Sequence, residues 1–246
     1  MVPLWTYRYL EHELSIGFDF KRTNNTFEFS EDLPRFGRNV NLSQLVFGYE
    51  GNYERNTFRI DFNGEFYWSP GKIFADQKNA NYESLRPDAK NHWVYFKGSF
   101  VYLQRLPMSF SLSLLAKGQI SSQNLLPSEQ FGLGGYDTVR GYDQREVNKD
   151  GAILASAEAR SPALPVVKPW NDAVQFLIFL DYGWGSDHNA IPGQRKTDYL
   201  LGTGPGIRYT IEPYLTARLD WGIKLHKKAN FGGGNTMIHF NITASY

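Results

Sequence analysis

The chain has 246 residues, with 26 Lys and Arg against 25 Asp and Glu, so its formal net charge at pH 7 is +1. This balance gives no electrostatic reason to expect a nucleic-acid partner. The sequence holds no cysteine, which excludes disulfides, thiolate metal sites, cysteine nucleophiles and iron–sulfur clusters. No stretch approaches the roughly 20 consecutive apolar residues of a membrane-spanning helix, but a barrel of membrane-spanning strands stays open, because such strands alternate in polarity.

Apolar and polar residues alternate with a period of two along most of the chain, which is typical of strands with one apolar face. In 174–184, for example, apolar and aromatic side chains fill the even positions, and Asp181 lies on the opposite face. The pattern predicts an all-β protein of ten strands, at about 8–20, 38–54, 57–68, 92–105, 108–120, 150–160, 174–184, 199–211, 214–226 and 236–246. Several of these exceed the mean globular strand of about 5–6 residues and reach the roughly 9–11 residues of a membrane-spanning strand.

The connections between the predicted strands alternate between short turns and long polar loops, an arrangement typical of outer-membrane barrels. A soluble antiparallel barrel or sandwich would also alternate in polarity. Full charges in the middle of strands, at Asp181, Arg218 and Asp220, favour the membrane barrel, because a water-filled lumen accepts them without a burial penalty. The first residues show no signal-peptide pattern, so the chain is predicted to be either cytosolic or a piece of a longer protein.

The long segment 121–149 is the least strand-like and the most distinctive part of the sequence. Its glycines, among them Gly141, allow positive φ angles and close packing. A solvated loop has little use for side chains such as Leu133 and Val139, whereas a loop that folds into a barrel lumen would bury them. We therefore expect 121–149 to be inserted into the lumen.

The strands that follow this loop supply acidic partners. By parity, Glu158 and Asp181 point inward on adjacent strands, so a cation arriving from the loop would meet two carboxylates. Arginine suits this role because its planar fork binds carboxylates through two hydrogen bonds. Arg140 is the candidate, and Arg160 could share the same network.

Three motifs in order resemble a known family: LPSEQFGLGGYDTVRGY, then SAEAR at 156–160, then FLDYG at 179–183. They look like the transporters of two-partner secretion, the haemolysin-activator or ShlB-type proteins, within the superfamily that includes the barrel-assembly insertase. The resemblance implies a barrel of about 16 strands and an in-folded loop with a V-R-G-[FY] tip, matched by Val139, Arg140, Gly141 and Tyr142. It also implies that the loop arginine pairs with the Asp of an F-x-D-x-G motif. The residues that match these partners are Phe179, Asp181 and Gly183, with Glu158 and Arg160 on the preceding strand.

The resemblance further implies an aromatic C-terminal targeting signal, matched by Phe240, Ile242 and Tyr246. It places the protein in the outer membrane of a Gram-negative bacterium, with a secreted polypeptide, outer-membrane lipid and the barrel-assembly machinery as partners, and with no cofactor. Because the family's signal peptide, periplasmic domains and first strands have no counterpart, residues 1–246 are expected to be the C-terminal portion of a longer barrel. Transport by this chain alone is therefore open.

Other functions stay open as alternatives. The resemblance leaves barrel insertion as a second possibility within the superfamily, and a passive porin-like or ten-stranded barrel is the plainer membrane protein. An outer-membrane protease would need His beside carboxylates at the extracellular rim. His188 follows Asp187 in a predicted loop and His226 precedes another, and these positions alone are weak support for a protease. Glu158 and Asp181 could form a glycosidase pair, but the resemblance assigns them to the arginine. No metal-ligand spacing repeats along the chain, so we expect no metal site. The glycines at 132–135 are not a phosphate-binding loop, because no Lys-Ser/Thr follows them. We therefore do not expect an enzyme.

Overall fold

The computed structural model of the protein describes residues 2–6, 8–24, 39–190, 193–226 and 234–245. Among these residues one antiparallel sheet of eleven strands dominates, with strand neighbours in chain order except that β6 pairs directly with β9. Within the same residues, strands β7 and β8 pair only with each other, in a separate two-stranded sheet. In chain order the strands of both sheets are β1 (Val2–Pro3), β2 (Leu10–Asn24), β3 (Asn39–Glu54), β4 (Phe58–Pro70), β5 (His92–Arg105), β6 (Ser111–Ser121), β7 (Phe131–Leu133), β8 (Val147–Lys149), β9 (Gly151–Arg160), β10 (Asp172–Ser186), β11 (Thr197–Ile211), β12 (Leu215–Lys224) and β13 (Thr236–Ala244). Helix α1 is Asn79–Leu85, and two 3₁₀ turns occupy Pro107–Ser109 and Lys168–Trp170.

The sheet is apolar on its outer face and polar on its inner face, the reverse of a soluble sandwich. Along β10, Ile178 and Leu180 are 66% and 50% exposed, while their neighbours Phe179 and Asp181 are almost fully buried. An outward apolar band over an inward polar wall is the pattern of a barrel whose outer surface faces lipid. None of the helices that the structure describes is long and apolar enough to cross a membrane.

All ten predicted strands are present, although their ends differ. The strand predicted to begin at residue 108 begins at Ser111, because Met108 and Ser109 adopt positive φ angles of 59° and 60° within a 3₁₀ turn. The strand predicted at 214–226 ends at Lys224, and the one predicted at 8–20 begins at Leu10. Residues 38 and 246, which the prediction included in strands, lie outside the described residues.

Sequence periodicity missed the short elements. Strand β1 has two residues and adds to the edge of β2, so the sheet has eleven strands and not ten. Helix α1 lies in the segment predicted as loop, where Tyr82 is fully buried and donates a hydrogen bond to the Asn41 carbonyl over 2.6 Å. Strands β7 and β8 form a separate hairpin inside 121–149. Elements of two to seven residues are too short for a period to show.

Candidate functional site

The loop between β6 and β9 carries Arg140 into the buried inner face of the sheet, where only 2% of the residue is exposed. Its Nε and Nη2 donate to the two carboxylate oxygens of Asp181, over 2.7 and 2.8 Å, and its backbone N–H donates to Asp181 Oδ2 over 3.0 Å. Its Nη1 donates to Glu158 Oε1 over 2.6 Å. Burial acts to lower the pKa of Arg140, but the hydrogen bonds and charges of Asp181 and Glu158 outweigh it and raise that pKa.

Three alternate residues of β10 form the seat for this loop. The guanidinium carbon of Arg140 lies 3.5 Å from the centre of the Phe179 ring, a cation–π contact. Two residues on, Asp181 accepts the hydrogen bonds, and two further on Gly183 leaves space for the loop. A Cβ at Gly183 would lie 2.8 Å from Val139 Cγ2 and 2.9 Å from Leu133. The period of two in the strand therefore puts an aromatic face, a carboxylate and a gap in one row under the loop.

The neighbours of Arg140 in the loop are fixed against β11, β12 and β13. Gly141 has a φ of +97°, and a Cβ there would lie 3.1 Å from the backbone of β12. Its N–H donates to Nε2 of His239, over 3.0 Å. Tyr142 is fully buried, and its hydroxyl oxygen lies 2.9 and 2.5 Å from the carbonyl oxygens of Leu201 and His226, so its one hydrogen lies between two acceptors. Residues 139–142, called the loop tip below, thus contact the five consecutive strands β9–β13.

The carboxylates under the loop tip are shared with other arginines. Arg160 donates to Glu158 Oε2 over 2.9 and 2.5 Å. Asp220 is fully buried, lies 3.6 Å from Arg140 Nη1 and accepts from Arg208 and Arg218, over 2.7 and 2.6 Å. A cavity of about 220 Å³ adjoins this network. The structure therefore joins four arginines to three carboxylates.

Sequence reasoning identified only part of this network. It brought Arg140, Asp181, Glu158 and Arg160 together, and the structure places them in contact. It placed Asp220 in the lumen without linking it to Arg140, and it gave neither Arg208 nor His239 any role. The signal for Arg208 lay in the parity of β11, since it pairs across strands with Arg218.

A second buried ion network, which the sequence analysis missed, lies where the loop leaves and rejoins the sheet. Arg86 donates to the Leu125 carbonyl over 2.5 Å, to both oxygens of Asp150, and to Asp187 Oδ1 over 2.8 Å. Lys149 donates to the other oxygen of Asp187, over 2.7 Å. These contacts tie the loop to the segments on either side of it.

The residues matched to a C-terminal signal lie apart from the loop tip. Phe240 and Ile242 are on the outer face of β13, 75% and 64% exposed. Tyr246 lies outside the described residues. The part of the chain that the structure describes holds no group of three or more His, Asp or Glu residues arranged to hold a metal ion.

Comparison with known proteins places this geometry in a family. The family model described as "Haemolysin secretion/activation protein ShlB/FhaC/HecB" matches residues 7–209, which is most of the chain and includes the loop and the β10 seat. The chain belongs to this family. The resemblance read from the three motifs is thereby confirmed. The description is of secretion and activation proteins, not of an enzyme family, and no match was found among curated proteins.

Solved structures show the same fold. CdiB from Escherichia coli matches with a TM-score of 0.79 at 17% identity over 98% of this chain and 43% of that one. CdiB from Acinetobacter baumannii matches with a TM-score of 0.70 at 20% identity over 99% of this chain and 40% of that one. BamA from Haemophilus ducreyi, lacking POTRA domains 1–3, matches with a TM-score of 0.59 at 10% identity over 96% and 51%.

These matches confirm the predicted fold class, an antiparallel β-barrel of which this family member supplies a part. The chain spans less than half the length of the two CdiB chains and about half that of the BamA chain. The eleven strands are accordingly a portion of a wall, in which β1 and β13 are the two edges among the described residues.

Proposed function

We propose that this chain forms part of an outer-membrane transporter that secretes an unfolded partner polypeptide, such as a haemolysin or an adhesin, by two-partner secretion. Membership of the haemolysin secretion/activation family supports the secretion role. The apolar outer face of the sheet supports contact with membrane lipid. The proposal places the protein in the outer membrane of a Gram-negative bacterium, inserted there by the barrel-assembly machinery. Residues 1–246 then constitute barrel wall, with 121–149 in the lumen.

The observation that carries the mechanism is the buried contact of Arg140 with Asp181 and Glu158. We infer that this contact holds the loop tip against β9–β12 and that the tip must leave its seat for a polypeptide to pass. Once Arg140 withdraws, Glu158 keeps Arg160 and Asp220 keeps Arg208 and Arg218. Of the three carboxylates, only Asp181 then loses its charge partner, so release leaves one uncompensated buried carboxylate and not three.

Residues on the inner wall would guide the passing chain through polar contacts, and no nucleotide is needed. An extended polypeptide that folds outside the cell cannot slide back through the lumen, so folding supplies the direction. This scheme needs a loop tip that docks firmly and still releases, which the shared carboxylates provide.

The test is an Arg140→Ala substitution in the chromosomal gene of the source bacterium, with mass spectrometry of the culture supernatant and the periplasm. We expect one secreted protein to fall in the supernatant while the transporter stays at its usual level in the outer membrane and still shows heat-modifiable migration. Arg59→Ala is the matched control, since Arg59 contacts Asp61 and Glu54 on the polar face and not the loop. Normal secretion by the Arg140→Ala strain would contradict the proposal.

A strain that lacks the gene separates secretion from the barrel-insertion alternative. Loss of one secreted protein with an unchanged outer-membrane protein profile supports two-partner secretion. A general fall in outer-membrane barrels would instead support an insertion factor.

A further inference from the structure

The loop that carries Arg140 is also docked on the opposite half of the sheet. Residues 125–131, called the loop root below, precede the tip and lie against the first strands. Leu125 and Leu126 are 0% and 4% exposed. They belong to an apolar cluster whose other buried members are Val40, Leu42, Tyr82, Ala89, Trp93 and Tyr95.

Within the loop root, Glu129 is 1% exposed and makes a dense set of hydrogen bonds. Lys21 on β2 donates to both of its carboxylate oxygens, over 2.9 and 3.2 Å. Tyr95 on β5 donates its hydroxyl over 2.7 Å, and Gln44 on β3 donates over 3.1 Å. The hydroxyl of Ser128 completes the set, over 3.0 Å.

A buried carboxylate is costly unless it is paired and hydrogen-bonded, and Glu129 is both. Burial acts to raise the pKa of Glu129, but the hydrogen bonds from Lys21, Tyr95 and Gln44 outweigh it and lower that pKa. The group is therefore ionised at neutral pH and strengthens each bond it accepts.

The two docking points of the loop are opposite in charge and separate in space. The loop places an anion on β2, β3 and β5 at Glu129, and a cation on β9 and β10 at Arg140. Among the described residues, the side chains that bond to Glu129 and those that bond to Arg140 have no member in common. Each contact can therefore be broken without breaking the other.

We propose that Glu129 is a second positioning residue of the transporter, which anchors the loop root to β2, β3 and β5 independently of the Arg140 contact at the tip. The inference rests on the proposed function in that a docked loop closes the lumen. With the root held, withdrawal of Arg140 frees the tip alone. The passage then opens beside β9–β12, and the loop stays attached to the first strands.

Residues 1–246 hold no cysteine, so in this part of the protein an introduced cysteine is the only thiol. Leu126→Cys reports on the root and Val139→Cys, at a position that is 0% exposed, reports on the tip. Each reporter is combined with Glu129→Gln and with Arg140→Ala, and labelling by a hydrophilic maleimide is timed on isolated outer membranes. We expect Glu129→Gln to speed labelling of Leu126→Cys about tenfold or more, the factor that loss of a charge-assisted hydrogen bond supplies, and to leave Val139→Cys protected. Arg140→Ala should do the reverse.

Glu50→Gln is the matched control, because Glu50 is an exposed carboxylate on β3 that pairs across strands with Glu13 and does not contact the loop. Lys21→Met tests the same anchor from the wall side, should Glu129→Gln fail to assemble. The proposal would be overturned if Leu126→Cys stayed protected in both Glu129→Gln and Lys21→Met. It would also be overturned if either of these two substitutions exposed Val139→Cys together with Leu126→Cys. Labelling does not depend on secretion, so this test can fail or succeed separately from the proposed function.

Discussion

Replacing Asp181 by Asn removes the charge that Arg140 meets at the loop tip while keeping the size of the side chain. Asp181 is fully buried and accepts three hydrogen bonds from Arg140 and one, over 2.6 Å, from the Ser156 hydroxyl. In Asn, an NH₂ group replaces one of the two carboxylate oxygens, and this donor would face the N–H groups of Arg140 or the hydroxyl of Ser156, which are donors too. Breaking a buried ion pair costs about 3–5 kcal/mol. The low end applies here, because Glu158 remains 2.6 Å from Arg140.

A cost of about 3 kcal/mol raises the undocked fraction of the loop tip roughly 100-fold. Tryptic cleavage measures this undocked fraction, because trypsin cuts the Arg140–Gly141 bond only when the loop tip has left its seat. In the docked state Arg140 is 2% exposed. Where docking is fast relative to cleavage, the cleavage rate follows the open population. The assay is timed digestion of isolated outer membranes, with the fragment ending at Arg140 quantified by mass spectrometry.

The control for this experiment is Asp61→Asn, which removes a carboxylate that pairs with Arg59 away from the loop. Its cleavage rate at Arg140 should match that of the unaltered protein. A rate in Asp181→Asn within about twofold of the unaltered protein, equivalent to less than about 0.5 kcal/mol, would refute the assignment of Asp181 as the main partner of Arg140.

Three further predictions use the same preparations. Gly141→Ala should speed tryptic cleavage at Arg140, because the new Cβ forces the loop tip to shift at a cost of about 1–3 kcal/mol. Gly193→Ala is the control: Gly193 also has a positive φ, but no atom lies within 4 Å of the new Cβ, and cleavage at Arg140 should stay unchanged. The lowered pKa of Glu129 means that its stabilising contribution is complete above the ordinary value of 4.5 and is lost as the pH falls through the folded-state value. Labelling of Leu126→Cys by a pyridyl disulfide, which unlike a maleimide still reacts with thiols in acid, and with its rate divided by that of the unfolded protein at the same pH, should therefore accelerate on acidification below pH 4.5. An unchanged relative rate would show that ionised Glu129 does not hold the root. Deletion of Tyr246 should lower the outer-membrane level of the protein if the terminal aromatic is a targeting signal, and membrane immunoblots would count against that role if the level were unchanged.

Local sequence determined the strands and the facing of their side chains. A period of two is a property of the extended backbone, so the alternation in 174–184 alone put Asp181 inward and Ile178 outward, as the structure has them. The same parity put Glu158 on the inner face of the adjacent strand, where it is paired across from Phe179. The V-R-G-Y tip needed no tertiary information either, because its motif is contiguous.

Only the tertiary structure determined what the loop root contacts. Glu129 lies 108 residues from Lys21 and 85 from Gln44 along the chain, and no local period relates such positions. Helix α1 likewise depends on distant packing, since its Tyr82 is buried against a cluster that includes Val40 and Leu125. Parity states which face a side chain occupies, whereas the meeting of two segments depends on strand register and on the path of the loop across the sheet. Those are set by contacts summed over the whole fold, which is why Arg140 could be matched to its partners from sequence and Glu129 could not.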